Sequence, residues 1–369
     1  MAAQTYLVDP KPVPALNIPK STSTVTVRVI DSTSRITAPI AIFVTGTIDG
    51  HTEITNVPAY SFLISNGNRH VLFDLGVPKD IQNGAPATTA MLKRGFTVDV
   101  KQNVAEILDD HSSEVGVKSK DVEAVIWSHH HFDHVGDVTT FPKTTDLVVG
   151  PGFKKEHTPG YPTNPESGLL EKNWEGRNLR EIDIVKEGKG LKIGRCDAMD
   201  FFGDGSFYLL DTPGHSVGHM SGLARVTTSP DTFIFMGGDC AHHGGEWRPT
   251  EYLPLPTSIS PSPIPKFRSG GCPGELLLKI HPKHNATEPF YEVGSGVSYD
   301  AREAASSIHK MEEFDAADNV FVIIAHDESL LHELDFFPKK INDWAKKDMA
   351  VKSRWLFVKD FAKALEVQS

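Results

Sequence analysis

The chain has 369 residues, 39% hydrophobic and 23% charged, a globular composition that excludes disordered and collagen-like chains and leaves enough apolar material for a substantial core. Its 48 acidic and 37 basic residues give a formal net charge of −11, which repels phosphate backbones and anionic lipid, so no nucleic acid and no membrane is expected as a partner. Cys196, Cys240 and Cys272 are widely spaced and fit neither a zinc ribbon nor a disulfide framework, and the sequence starts without a signal-like apolar stretch, so a reducing, cytoplasmic setting is expected.

Residues 1–22 hold four prolines and no hydrophobic period, and are expected as an extended arm ahead of a single domain over 23–369. From Thr24, short runs rich in β-branched residues read as strands: TVTVRVI (24–30), IAIFV (40–44), YSFLI (60–64) and HVLFD (70–74). In 99–111 the apolar residues Val100, Val104, Ile107 and Leu108 fall at helical spacing, and EAVIWS (123–128) returns to strand. The second half repeats this grammar with strands at EIDIV (181–185), FYLLD (207–211), GLARVTT (222–228), TFIFMG (232–237) and NVFVIIAHD (319–327). A helix is predicted over 300–314, with Asp300 and Glu303 as a capping box, and a helix-rich tail from about Asn342. Such halves suggest an α/β architecture of two packed β-sheets with helices outside. Long loops at about 151–178 and 245–299, rich in Gly and Pro, are expected as lids or connectors.

Directly behind the strand at 123–128 lies SHHHFDH, four histidines and an aspartate in seven positions. Residues two apart in an extended segment face one way, so His129 and His131 can aim at one spot, while Asp133 and His134, a turn later, aim at a second. His130, between them, is expected to point away. Imidazole and carboxylate are ligands for borderline divalent metals. Three further candidates recur in the same place, the end of an apolar run: His215 after LLDTPG, Asp239 after FIFMGG and His326 after FVIIA.

These stretches, SHHHFDHVG, DTPGHSVGHMS, GGDC and IAHDE, with VLFDLG around Asp74, resemble in order the metal-binding motifs of the metallo-β-lactamase superfamily. The resemblance implies its fold, an αβ/βα four-layer sandwich of two mixed sheets packed face to face. It also implies two divalent metal ions, zinc by default, with manganese or iron sharing such ligands. By motif, His129, His131 and His215 would hold one ion, Asp133, His134 and His326 the other, and Asp239 would bridge them. Asp74 would hydrogen-bond a ligand histidine and fix its tautomer.

The implied chemistry is hydrolysis without a protein nucleophile: a water shared by the two ions attacks a carbonyl as hydroxide, with Asp133 orienting it and ferrying its proton. The motifs look most like the branch that opens cyclic esters and amides, with a small-molecule lactone or lactam as substrate; some fungal members open the γ-lactam of benzoxazolinones. A glyoxalase II-like thioesterase and a non-catalytic metal-binding scaffold are the alternatives. Quorum-quenching lactonases place a tyrosine three residues after the bridging aspartate; here that position is His242, a candidate catalytic donor. His219 is expected to pack or support rather than ligate, Cys240 to be a small buried filler, and His111, His157, His281 and His284 to lie on the surface. Tyr161, Trp174, Tyr252 and Phe267 are candidates for an apolar substrate wall. The arm and the proline-rich loop could also pack against a second copy in a homodimer.

Overall fold

A computed structural model describes residues 4–367. Its centre is a pair of six-stranded sheets. The first holds, in spatial and chain order, β1 (Thr26–Asp31), β2 (Tyr60–Asn66), β3 (Arg69–Phe73), β4 (Ala124–Ile126), β5 (Asp146–Val149) and β6 (Leu179–Glu181). The second holds β7 (Lys192–Ile193), β8 (Cys196–Asp200), β9 (Phe207–Asp211), β10 (Met220–Thr227), β11 (Thr232–Met236) and β12 (Val320–Ile323). In each sheet antiparallel neighbours give way to parallel ones, from β3 to β6 in the first and between β11 and β12 in the second. Three helices matter below: α1 (Val104–Asp110), α2 (Phe132–Val135) and α3 (Ala301–Ala316).

Side-chain alternation builds the layers. Val71 and Phe73 of β3 join Phe207 and Leu209 of β9, and Ile234 and Met236 of β11, in a core between the sheets. Leu72, on the opposite face of β3, packs instead with Val104, Ile107 and Leu108 of α1. Tyr208 and Leu210 of β9 do the same against Ile308, Met311 and Phe314 of α3. Both faces of both sheets are therefore buried, the arrangement of a four-layer αβ/βα sandwich. A smaller three-stranded sheet (Arg35–Pro39, Glu53–Val57, Thr97–Asp99) covers one end. It shares a core with Leu255, Leu277 and Phe290 of the 245–299 segment and Phe357 and Phe361 of the tail. That segment is thus packed, and it carries a helix at Gly274–Ile280.

Three local expectations need correction. IAIFV is no strand: Ile40–Ile42 coil into a 3₁₀ turn, which puts Ile40 and Phe43, three residues apart, into the same core, and pairing resumes only at Val44–Thr45. In 181–185 the strand has already ended; Asp183 accepts a hydrogen bond from Lys186 N and caps a helical turn, Ile184–Glu187. At α3, Asp300 caps the amides of Arg302 and Glu303, but the two-way capping box occurs at α1, between Asn103 and Glu106. The arm from residue 4 runs extended over its own chain, with Leu7 N on Leu255 O at 2.9 Å and Leu16 buried. No helix among the described residues is long and apolar enough to cross a membrane.

Candidate metal centre

Five strands end at one edge of the sandwich. β3 and β4 are parallel, and two antiparallel steps make β9 parallel to β11 and hence to β12. The loops beyond their carboxyl ends deliver Asp74, residues 128–134, His215, Asp239 and His326 to a single place. His131 precedes α2, whose single turn carries Asp133 and His134.

There the side chains fall into two groups, His129, His131, His215 and Asp239 in one, and Asp133, His134 and His326 in the other, each with its ligand atoms within 4.8 Å of one another. Asp239 reaches both. Its Oδ2 lies 3.4 Å from His215 Nε2 and 3.7 Å from His129 Nε2, while its Oδ1 lies 2.9 Å from His134 Nε2 and 3.1 Å from His326 Nε2. Asp133 Oδ2 stands 3.4 Å from His326 Nε2.

Hydrogen bonds outside the centre decide which ring nitrogens are bare. Asp74 accepts from Ser128 N (2.6 Å), Ser128 Oγ (2.7 Å) and His134 Nδ1 (2.8 Å). Ser128 Oγ, having donated to Asp74, accepts from His129 Nδ1 at 3.0 Å. His326 Nδ1 donates to Pro58 O at 2.7 Å. With each Nδ1 proton spent outward, the Nε2 lone pairs of His129, His134 and His326 point inward. His134 Nε2 and Asp239 Oδ1 are both fully buried, and neither has an aligned hydrogen-bond partner. Buried acceptors that face one another are stabilised by a cation between them. Burial, reinforced by the neighbouring imidazoles, also holds His129 and His215 well below the usual histidine range, in the neutral form that binds metal. The residues fit divalent ions.

Around this centre, His219 does not face the groups: its Nδ1 meets Thr212 O at 2.7 Å, and its Nε2 accepts the Asp239 amide at 3.1 Å, anchoring the Asp239 backbone. Cys240 is buried. His242 Nε2 lies 3.4 Å from Asp239 Oδ2, and its Nδ1 lies 3.7 Å from Glu246 Oε2. Burial opposes a charge on His242, but bonds toward Asp239 and Glu246 outweigh it and push its pKa up to about 10.

A cavity of about 350 Å³ opens onto His131, Asp133, His215, Asp239 and His242. Its wall is Phe43, Met91, Phe96, Phe132 and Val297, with edge-on contacts between Phe43 and Phe96 and between Phe96 and Phe132. None of Tyr161, Trp174, Tyr252 or Phe267 lines it, so the expected wall is replaced by another. His130 belongs to neither ligand group, as expected; its ring lines this cavity and stacks on His157 with ring centroids 3.9 Å apart. His281, expected at the surface, is buried with its Nε2 on Glu288 O. Ser128 and Glu246 escaped the sequence reading. A serine between a strand and a histidine carries no distinctive spacing, whereas Glu246, four residues after His242, offered a weak signal.

The profile of the metallo-beta-lactamase superfamily matches residues 54–227. The chain is 46% identical over 358 residues to the gamma-lactamase FDB1 of Fusarium pseudograminearum, covering 94% of this chain and 85% of that protein. It is 48% identical over 356 residues to the cytochrome P450 monooxygenase mpaDE' of Penicillium brevicompactum, a match over 96% of this chain that spans only 39% of that protein's length. Among solved structures, an N-acyl homoserine lactone hydrolase with N-hexanoyl-L-homoserine bound at its catalytic metal centre superposes with a TM-score of 0.57 at 17% identity, over 86% of this chain and 100% of that one. Extended identity with a near full-length relative, the matching profile and the shared fold lead to one conclusion: the chain belongs to the metallo-beta-lactamase superfamily.

Proposed function

We propose that the chain is a metal-dependent hydrolase that opens a small, uncharged lactone or lactam, with a γ-lactam as the leading substrate class. Two divalent ions, zinc by default, would be held by His129, His131 and His215 on one side and Asp133, His134 and His326 on the other, with Asp239 shared. The observation that carries this reading is the Asp239 carboxylate, one oxygen turned to each group of imidazole nitrogens. When bound, such ions polarise a carbonyl and lower the pKa of water towards neutrality.

The chain's own residues would do the rest. Asp74 and Pro58 lock the ring planes of His134 and His326, so the site needs little reorganisation. Asp133 lines the cavity floor, where its carboxylate can hold and relay the proton of the attacking water. His242, in the same wall, stands ready to donate to the ring oxygen or nitrogen as the acyl bond breaks. The balance is simple: hydroxide adds to the carbonyl carbon, and the proton ends on the departing heteroatom.

The wall supports an uncharged, flat substrate. Among the described residues no lysine or arginine lines the cavity, so it offers nothing to the carboxylates of a glutathione thioester, while its phenylalanines offer ring faces. The gamma-lactamase among the relatives points the same way. The test is metal analysis of purified protein with turnover of a γ-lactam, a γ-lactone and a glutathione thioester. About two equivalents of metal with ring opening that stops on chelation is expected. Thioester cleavage alone would reject the substrate class, and metal-loaded protein inert to all three would favour a scaffold.

A further inference from the structure

A second cluster of ligand-type side chains lies behind the centre: His51, His243 and Asp360 bring a ring nitrogen each and a carboxylate within 4.8 Å of one another. Its hydrogen bonds argue against a cation. Gly245 N donates to His243 Nδ1 at 3.0 Å, so the proton of that neutral ring sits on Nε2, which lies 3.2 Å from Asp360 Oδ2. His51 Nδ1 is in turn paired with the Tyr291 hydroxyl at 2.7 Å. The cluster is closed on itself and holds two chain segments together.

Those segments are the loop after Asp239 and the C-terminal stretch Leu356–Phe361. His243 directly follows His242, and one Glu246 carboxylate oxygen accepts both their amides, at 2.5 and 3.1 Å, so the two residues belong to one rigid turn. Phe357 and Phe361 pack their rings 5.4 and 5.7 Å from that of His243. A β-carbon on Gly244 would stand 2.5 Å from Phe357 Cδ1, so a glycine is required there for the tail to seat. Lys359 pairs with Glu328, two residues beyond His326, and Arg248 Nη1 donates to Arg354 O at 2.7 Å.

We propose that the C-terminal segment 354–361 clamps the catalytic loop, with Asp360 a positioning residue that acts through His243 to hold His242 at the cavity. Only the effect on turnover rests on the hydrolase reading; the clamp itself does not. A donor displaced by about 1 Å can cost on the order of a hundredfold in rate, so partial loosening should cost about tenfold.

The test compares full-length D360A, D360N and K359A with wild type by amide hydrogen exchange, metal analysis and kinetics. In D360A, exchange over 242–247 should rise at least about fivefold while β10 and β11 keep wild-type rates. Metal content should hold, and kcat should fall about tenfold with KM within about twofold. D360N, which keeps an acceptor for His243 Nε2, should restore most of this. K359A, which loosens the same segment at its other anchor, should raise exchange at 326–330 and, to a smaller extent, over 242–247, and the rise over 242–247 decides the matter if D360A does not fold. Unchanged exchange in all three, or a rise spread evenly over the chain, overturns the clamp. A further metal equivalent in wild type that D360A abolishes would also overturn it. Wild type inert to every ring would defeat the hydrolase reading while the exchange data still judged the clamp.

Discussion

The two histidine–carboxylate clusters are built from the same residue types at similar separations and differ in the direction of their N–H bonds. At the centre, the protons of His129, His134 and His326 are spent outward on Ser128, Asp74 and Pro58, and the lone pairs converge on Asp239. In the rear cluster the proton of His243 is spent inward, on Asp360, and its other ring nitrogen is occupied by the Gly245 amide. Proximity alone does not separate a metal site from a structural knot; the outer hydrogen bonds do.

This contrast can be broken or sharpened by substitution. The largest effect is expected from D239N, which removes the charge shared by both groups: metal content by elemental analysis should drop by about half or more, with activity down about a thousandfold, the equivalent of several kcal/mol. D74N should follow, because an amide can present its N–H to His134 and disturb the tautomer; competition against a chelator should show affinity weakened about 10- to 100-fold. F96A leaves the ligands intact and strips one face from the cavity, so KM should rise about tenfold, the value of a partly buried aromatic contact, with kcat little changed. Smallest is H51A at the rear: metal content and pH profile should match wild type, and chemical denaturation should register only about 1 kcal/mol for the lost Tyr291 hydrogen bond. If H51A instead released metal, the distinction between the clusters would be gone.

Much of the centre was legible because its residues obey one rule of position. Each of His215, Asp239 and His326 follows an apolar strand buried on both faces, and a short unbroken apolar run closed by a turn announces itself in sequence. Asp74, too, ends such a run. The cavity wall was not legible for the opposite reason. Phe43 follows a turn that looked like a strand, and Met91 and Phe96 come from a stretch with no sustained period, so nothing local tied them to the site. Asp360 was invisible on the same ground: its importance lies in a contact 117 residues from His243, which a reading of neighbours cannot supply. The 245–299 segment read as a loop because its prolines break every period; it is ordered by burial of Leu255, Ile259 and Leu277, with two short strand pairings, Ser258–Ile259 on Cys272–Pro273 and Glu292–Val293 on Val44–Thr45.

The seam between the sheets carries one more consequence. His129, His131, Asp133 and His134 belong to the half of the chain that ends with β6, whereas His215, Asp239 and His326 belong to the half that begins with β7. Neither half owns a complete coordination set, so bound ions would rivet the two halves together. Free metal at a hundred times its dissociation constant would add about 2.7 kcal/mol to the folded state. Resistance to unfolding would then track the metal supply of the surroundings, and starvation for the ion would cost the cell the protein as well as its activity.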